Sequence, residues 1–213
     1  MAPTLLNVAD LACRRGGRSV FDGLSFTLGA GELLALTGRN GSGKTTLLRA
    51  LALLVRPEAG TILWQGINVQ DDPETWRGRL AWLGHLDGLK GDLTVGENLL
   101  GAERLRGRPA ADDRLDLALV AFDLNVLAHR SVRTLSAGQR RRTALARVML
   151  TQAPLWLLDE PLNALDAPAQ QAFRTVLQRH LGQGGLAIAA THADLGIPGA
   201  RTLELAAPRK ALA

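Results

Sequence analysis

The sequence is poor in cysteine and in aromatic residues. Its single cysteine, Cys13, cannot form a disulfide within the chain, and its apolar neighbours indicate a buried thiol rather than a nucleophile. Aromatic residues make up 4% of the chain, so few side chains could stack on nucleic-acid bases. The net charge of +5 comes from arginines spread along the chain. We therefore expect no nucleic-acid partner, since the charge suits an anionic membrane face or a nucleotide equally well.

Long apolar runs are also missing. The most apolar stretch, residues 47–55, contains Arg49, and no segment reaches the roughly 18 residues needed to span a bilayer. Residues 1–13 lack the basic start, apolar run and cleavage site of a secretory signal. We expect a cytosolic protein that associates with a membrane only indirectly. An apolar fraction of 46% over 213 residues is sufficient for one packed domain.

The order of apolar segments predicts an α/β fold. Residues 5–11 and 20–28 have strand patterns around a glycine-bearing turn, which predicts an antiparallel hairpin. Buried strands alternate with helices through the rest of the chain, which implies a parallel sheet covered on both faces. Further strands are predicted at 32–37, 61–64, 80–84, 155–158 and 186–190, and helices at 45–55, 95–105, 112–124, 136–150 and 167–181. Residues 1–213 are interpreted as one domain, with an α/β core of 1–85 and 153–213 and a helical insertion at 86–152.

A glycine-rich loop between a predicted strand and a predicted helix matches the phosphate loop of nucleotide-binding proteins. Its glycines allow successive N–H groups to point inward, and the following helix adds the positive end of its dipole. Lys44 is expected to reach the outer phosphates, and the Thr45 hydroxyl to bind Mg²⁺. The predicted nucleotide-binding residues of this loop are Gly38, Arg39, Asn40, Gly41, Ser42, Gly43, Lys44, Thr45 and Thr46.

A second chemical motif is the pair of carboxylates that follows a buried strand. Asp159 and Glu160 come directly after residues 155–158, where a parallel sheet presents its ligand-binding edge. Asp159 can hold Mg²⁺ through water, and Glu160 can polarise the water that attacks a γ-phosphate. Considered alone, the pair could equally cap the turn at Pro161.

With Leu135-Ser136-Ala137-Gly138-Gln139, these motifs resemble the ABC ATPase family over essentially the full length. The resemblance implies a P-loop core with a parallel sheet, an N-terminal antiparallel β subdomain and an inserted α-helical subdomain. It also implies ATP and Mg²⁺ as cofactors, and a head-to-tail dimer with a second copy of the chain. In that dimer Ser136, Ala137, Gly138 and Gln139 would bind the γ-phosphate held by the opposite copy. Ala137 stands where the family usually has glycine, which should weaken that contact.

Other positions are assigned by the same resemblance. Asp166 lies in a segment similar to the loop that crosses the dimer interface. His192, after the last predicted buried strand, resembles the switch histidine that contacts the γ-phosphate. His85 takes the place of a glutamine near the metal-bound water, and an imidazole can still make one hydrogen bond there. Arg15, or Arg14, takes the place of the aromatic residue that stacks on adenine, although a surface arginine without that role is nearly as good an interpretation.

Local strings around Cys13, Phe21 and His85 are similar to the ATP-binding subunit of the bacterial cytochrome c maturation haem exporter. That resemblance implies an integral membrane permease as partner and a peripheral location on the cytoplasmic face of the inner membrane. The work done would be haem export or release of a haem-loaded chaperone. An ATPase for another cargo, such as a drug or lipid, is the nearest alternative. A soluble ABC protein acting on ribosomes or DNA fits less well, and a kinase leaves Leu135–Gln139 unexplained.

Overall fold

Strands and helices alternate along the computed structural model, which describes residues 4–105, 107 and 112–206. Their bounds in chain order are β1 (Thr4–Arg15), β2 (Arg18–Gly29), β3 (Leu33–Thr37), α1 (Lys44–Leu51), β4 (Ala59–Trp64), β5 (Ile67–Asn68), α2 (Pro73–Gly78), β6 (Leu80–Leu83), α3 (Val95–Leu105), α4 (Asp112–Ala121), α5 (Ala137–Leu150), β7 (Leu155–Asp159), α6 (Ala167–Gly182), β8 (Leu186–Ala190) and β9 (Arg201–Glu204).

The central sheet is parallel and has the strand order β6-β7-β8-β3-β9. Every residue of β7 and β8 is buried, as expected for strands covered on both faces. Successive side chains alternate between two separate apolar cores. In β7, for example, Leu155 and Leu157 face one core, whereas Trp156 and Leu158 face the other.

The second sheet is antiparallel, in the order β2-β1-β4-β5. Strands β1 and β2 are joined at Gly16 and Gly17, which both have positive φ (55° and 75°), as a two-residue hairpin turn requires. Helix α1 packs in the core that this sheet shares with one face of the parallel sheet. Cys13 is buried in the same core, and burial, with a smaller contribution from the charge of Glu58, raises the pKa of its thiol. The prediction of an inert core cysteine is consistent with this position.

Helices α5 and α6 pack on the other face of the parallel sheet, and α3 and α4 pack against α5, in one continuous apolar core. The first hairpin, the fully buried strands β7 and β8, and most helices lie within a few residues of their predicted bounds. The proposed division at residues 86 and 152 stays a prediction, because α3 to α5 share their core with the sheet. Within the described part of the chain, no helix is both long and apolar enough to cross a membrane.

Four details of the secondary structure differ from the prediction. Helix α1 ends at Leu51 instead of residue 55, and α4 ends at Ala121 instead of residue 124. Beyond each helix the chain turns at a left-handed residue that is not glycine, Leu53 (φ 54°) or Asp123 (φ 52°), so the usual stop signal is missing. The predicted helical insertion begins at residue 86, but the chain is irregular from there up to residue 94. The short edge strand β9 was not predicted, since its residues are largely exposed.

Candidate functional site

Three loops meet at the carboxyl edge of the parallel sheet. The phosphate loop follows β3, the carboxylate pair ends β7, and His192 lies two residues beyond β8. The register fixes their proximity, because Ala190 at the end of β8 pairs with Leu36 on one side and Asp159 on the other. Residues far apart in sequence are therefore brought to one edge of the sheet.

The phosphate loop has the backbone shape that its glycines predict. Gly43 has φ 102°, and a Cβ there would lie 2.6 Å from Cγ1 of Val20, so this position requires glycine. Helix α1 begins directly after it, without an acidic residue in its first turn and without a side-chain cap. Its first N–H groups are thus available for an anion. Ser42 is buried, and its Oγ has no hydrogen-bond partner among the described residues.

Lys44 and Thr45 connect the loop to the other two strand ends. The Lys44 side chain is largely buried, and its Nζ donates to the carbonyl of Gly38 at 2.7 Å. The same Nζ lies 3.4 Å from Nε2 of His192. Thr45 Oγ1 donates to Oδ2 of Asp159 at 2.9 Å, so the two residues predicted to hold Mg²⁺ are direct neighbours.

His192 lies among several of the predicted residues. Its Nε2 is 2.9 Å from Oδ1 of Asn40 and 3.5 Å from Oε1 of Glu160. The imidazole can donate to an oxygen or accept from Lys44, depending on which ring nitrogen carries the proton. Glu160, Lys44 and His192, the three predicted catalytic residues, therefore form one polar cluster with the phosphate loop.

Glu160 has an unusual backbone conformation. Its φ is 47°, in the left-handed region that costs a non-glycine residue about 1–2 kcal/mol. Its N–H donates to the carbonyl of Ala190 at 2.8 Å. The carbonyls of Asp159 and Glu160 both accept from Nη2 of Arg141, at 2.6 and 2.7 Å. Sequence analysis missed Arg141, because it lies in a run of three arginines and only burial distinguishes it from its neighbours.

The signature loop, residues Leu135–Gln139, leads into α5 and forms its N-terminus. Ser136 accepts from the N–H of Gln139, and the Gln139 side chain accepts from the N–H of Ser136, which makes a capping box. Ala137 is exposed. A Cβ on Gly138 would lie 2.8 Å from the carbonyl of Ala164, so glycine is required for close approach of that loop. No hydrogen bond within the described chain joins the signature loop to Gly38–Thr45.

The remaining predicted residues are exposed. Asp166 caps α6 by accepting from the N–H of Ala169 at 3.0 Å. Arg15 lies beside the turn of the first hairpin, opposite Arg18, while the neighbouring Arg14 is 3.5 Å from Glu58. His85 follows β6 at the same edge as Glu160, since Leu83 of β6 pairs with Leu158 of β7. A cavity of about 620 Å³ lies elsewhere, near Pro154 and Gly184 at the opposite edge of the sheet, and contains none of the predicted residues.

A family model described as ABC transporter matches residues 21–163. The chain belongs to the ABC transporter family. The matched range includes the phosphate loop, the signature loop and the strand that ends at Asp159. As a member of this family, the chain binds ATP and hydrolyses it.

Curated relatives match this ABC protein over nearly its whole length. The cytochrome c biogenesis ATP-binding export protein CcmA of Rhodospirillum rubrum is 47% identical over 96% of the chain and 87% of the relative. The protein of the same name from Cupriavidus necator is also 47% identical, over 94% of the chain and 88% of the relative. These matches confirm the resemblance that the local strings predicted.

Solved structures confirm the predicted fold. The ATP-binding subunit of an ABC transporter has a TM-score of 0.80 and 27% identity, over 88% of this chain and 80% of that chain. A putative ABC transporter ATP-binding protein from Pyrococcus furiosus has a TM-score of 0.81 at 23% identity, over 94% of this chain and 96% of that chain. The second comparison bears on the fold alone.

Proposed function

We propose that the chain is the ATP-hydrolysing subunit of a haem exporter that serves cytochrome c biogenesis. The observation that carries this proposal is the 47% identity, over 96% of the chain, to a relative named for ATP-binding export in cytochrome c biogenesis. An energy-coupling subunit need not contact its cargo, so haem itself follows from the resemblance and not from any residue of the site. The chain would drive either haem export or release of a haem-loaded chaperone.

The phosphate loop is proposed to bind the ATP phosphates. The free N–H groups at the start of α1 and the buried ammonium of Lys44 supply positive charge in a small space. The phosphates would replace the Gly38 carbonyl as partners of Lys44, and the unpartnered hydroxyl of Ser42 could donate to one of them. Arg39, Asn40 and Thr46 would contribute contacts around this group.

Thr45 and Asp159 are proposed to hold Mg²⁺. A hydroxyl and a carboxylate are hard oxygen donors, and their separation of 2.9 Å fits two groups that share one small ion or its waters. The ion would neutralise charge on the phosphate oxygens. His85 is at the same edge of the sheet but exposed, so its proposed contact is with a metal-bound water.

Glu160 is proposed to polarise the attacking water. Its carboxylate is mostly buried and close to His192, which would hold the γ-phosphate and orient Glu160. Lys44 contacts the same imidazole, so positive charge lies next to the position where negative charge develops during hydrolysis. The strained backbone at Glu160 supports a functional role, because such strain is retained where geometry matters.

The site in one copy is proposed to be half of the working site. Ser136, Ala137 and Gly138 lie at a capped helix N-terminus that makes no hydrogen bond to the phosphate loop of the same described chain. In a head-to-tail dimer this terminus would bind the γ-phosphate of the opposite copy, and Asp166 would lie near the interface. Arg15 would stack on the adenine. ATP binding would close the dimer, and hydrolysis would reopen it.

The dimer is proposed to act on an integral membrane permease. The irregular segment after His85 would receive that partner, so that closure is transmitted to it. The chain would then lie on the cytoplasmic face of the bacterial inner membrane as a peripheral subunit, without a nucleic-acid partner.

Replacing His85 by glutamine is expected to keep ATP turnover within roughly tenfold of wild type, because either side chain can make one hydrogen bond to a metal-bound water. His85 is exposed, so the substitution should leave the fold intact. Steady-state phosphate release measures the effect. Complete loss of activity would show that the imidazole does something that glutamine cannot.

Co-purification from membranes tests the proposed function. The tagged chain should retain an integral membrane protein, identified by mass spectrometry, and haem, identified by its absorption spectrum. A Lys44→Ala copy serves as control for whether the assembly depends on ATP. Recovery of a membrane partner with a bound drug or lipid and without haem would favour the alternative cargo. Recovery of ribosomes or DNA instead would contradict the proposal.

A further inference from the structure

Arg141 connects three parts of the site. It lies on α5, five residues beyond Ser136, and is only 4% exposed. Its Nη2 donates to the carbonyls of Asp159 and Glu160, and its Nη1 donates to the carbonyl of Gly84 at 3.0 Å. Nη1 also donates to Oδ1 of Asp87 at 3.0 Å. One guanidinium thus bonds the ends of β6 and β7 to α5, the signature helix.

The physical chemistry of this contact favours arginine over any other side chain. The carbonyls beyond the ends of parallel strands point their negative ends at the guanidinium, and Asp87 supplies the counter-charge. In the planar guanidinium, Nη1 donates to the carbonyl after β6 and to Asp87, and Nη2 donates to the two carbonyls at the end of β7. An ammonium is a single point of donation and cannot span both strand ends. Loss of the group would remove this donor from the carbonyls of Gly84 and Asp159, and would leave the Glu160 carbonyl with the N–H of Asn163 alone.

The contact bears directly on Glu160. The residue keeps its left-handed backbone, with φ 47°, while its N–H donates to Ala190 and its carbonyl accepts from Arg141 at 2.7 Å and from the N–H of Asn163 at 3.1 Å. Such a conformation persists only where surrounding bonds hold it. Without Arg141 the peptide between Asp159 and Pro161 can relax, which would change the direction of the Glu160 carboxylate.

A second arginine of α5 holds the segment after His85. Arg147 Nη2 donates to the carbonyl of Asp87 at 2.8 Å, and Nη1 donates to the carbonyl of Gly88 at 2.6 Å. Gly88 has φ 64°, and a Cβ there would lie 3.3 Å from Arg147 Nη2. Residues 84–88 are therefore attached to α5 by Arg141 and Arg147 together, and any displacement of that segment is shared with the helix.

We infer that Arg141 is a positioning residue through which α5 and residues 84–88 set the orientation of Glu160. When the signature helix or the segment after His85 shifts, the shift reaches the carbonyls of Asp159 and Glu160 through one guanidinium. Hydrolysis is thereby coupled to the position of both elements. This inference rests on the proposed role of Glu160 in activating water.

The test compares two arginines of α5, each of which is paired with an aspartate outside the helix. Arg141→Lys is expected to lower kcat for ATP about 10- to 100-fold while the KM for ATP stays within about threefold, since the phosphate loop is untouched. Arg142→Lys is the control: Arg142 bonds Asp123 and the carbonyl of Phe122, at 3.1 and 3.0 Å, away from the site. It should keep wild-type kcat. Equal kcat in Arg141→Lys and wild type would overturn the inference.

Asp87→Ala and its control Asp123→Ala provide a test that keeps Arg141 in place. Removal of Asp87 leaves Arg141 without its counter-charge, so kcat should fall at least about threefold with KM unchanged, whereas Asp123→Ala should match wild type. If Arg141→Lys fails to fold, the Asp87 pair decides: an unchanged kcat in Asp87→Ala contradicts the inference.

A double-mutant cycle separates a positioning role from a general structural one. If Arg141 acts through Glu160, adding Arg141→Lys to Glu160→Gln should not reduce the residual rate further. An additional drop as large as in the wild-type background would show that Arg141 acts independently, against the inference. A Glu160→Gln variant with wild-type rate would instead contradict the proposed function, so the two failures are distinguishable.

Discussion

Glu160→Gln is expected to reduce ATP turnover by about a hundredfold or more, while ATP remains bound. Glutamine keeps the shape of the side chain, and with it a polar oxygen next to His192, whose Nε2 lies 3.5 Å from the carboxylate. What is lost is the negative charge that is proposed to polarise the attacking water. Because the γ-phosphate is then not removed, the two copies should stay together as a closed dimer.

Two measurements check this result. Phosphate release gives the rate, and size-exclusion chromatography with ATP and Mg²⁺ shows whether the dimer accumulates. Glu74→Gln is a suitable control, because Glu74 is exposed in the first turn of α2 and is distant in sequence from the residues of the site. A variant that hydrolyses ATP at the wild-type rate would show that Glu160 is not the residue that activates water.

Ala137→Asp is expected to abolish ATP turnover in the homodimer without harming the fold. A carboxylate in the first turn of α5 interacts favourably with the helix dipole of its own chain, so the helix should be no less stable. In the dimer the same carboxylate would face the γ-phosphate of the opposite copy and repel it. Thermal unfolding should therefore be unchanged or slightly raised, whereas ATPase activity is lost.

Mixing two inactive copies tests whether the site is shared. Lys44→Ala removes the phosphate-loop cation, and Ala137→Asp spoils the signature loop. A mixed dimer carries both defects in one site and none in the other, so an equal mixture could recover up to about a quarter of the wild-type rate, given random pairing of a two-fold dimer. Ala137→Gly, with the glycine usual in the family, is the control and should be at least as active as wild type. If the mixture recovers no activity, the result contradicts the proposal that each site is shared by two copies and that one intact site in a dimer is sufficient for turnover.

The two motifs that consist of neighbouring residues could be predicted from the sequence for a physical reason. Gly38–Thr45 and Asp159-Glu160 carry their chemistry in neighbouring residues, and each follows a buried strand whose apolar pattern is clear. The parallel register then brings them together, as the bond between Thr45 and Asp159 shows. Predicting the strands was therefore enough to predict the edge at which the site lies.

Long-range polar contacts were not readable in the same way. The contact between Asn40 and His192 joins residues 152 positions apart. Arg141 is one of three consecutive arginines, and only the structure distinguishes the buried one. The helix ends at Leu51 and Ala121 were missed because left-handed residues other than glycine follow them. Each error concerns a feature that depends on tertiary context rather than on a local pattern.

The capping box at Ser136 has a consequence for the energetics of assembly. The N-terminus of α5 is already capped by its own side chains, and Asp166 caps the start of α6 with one side-chain hydrogen bond. Little backbone freedom would remain to be lost when a second copy arrives, so the entropic cost of ordering these loops is met during folding. Association of the two copies would then depend mainly on the bound nucleotide. The on-rate of dimer formation should not be limited by slow folding of these loops.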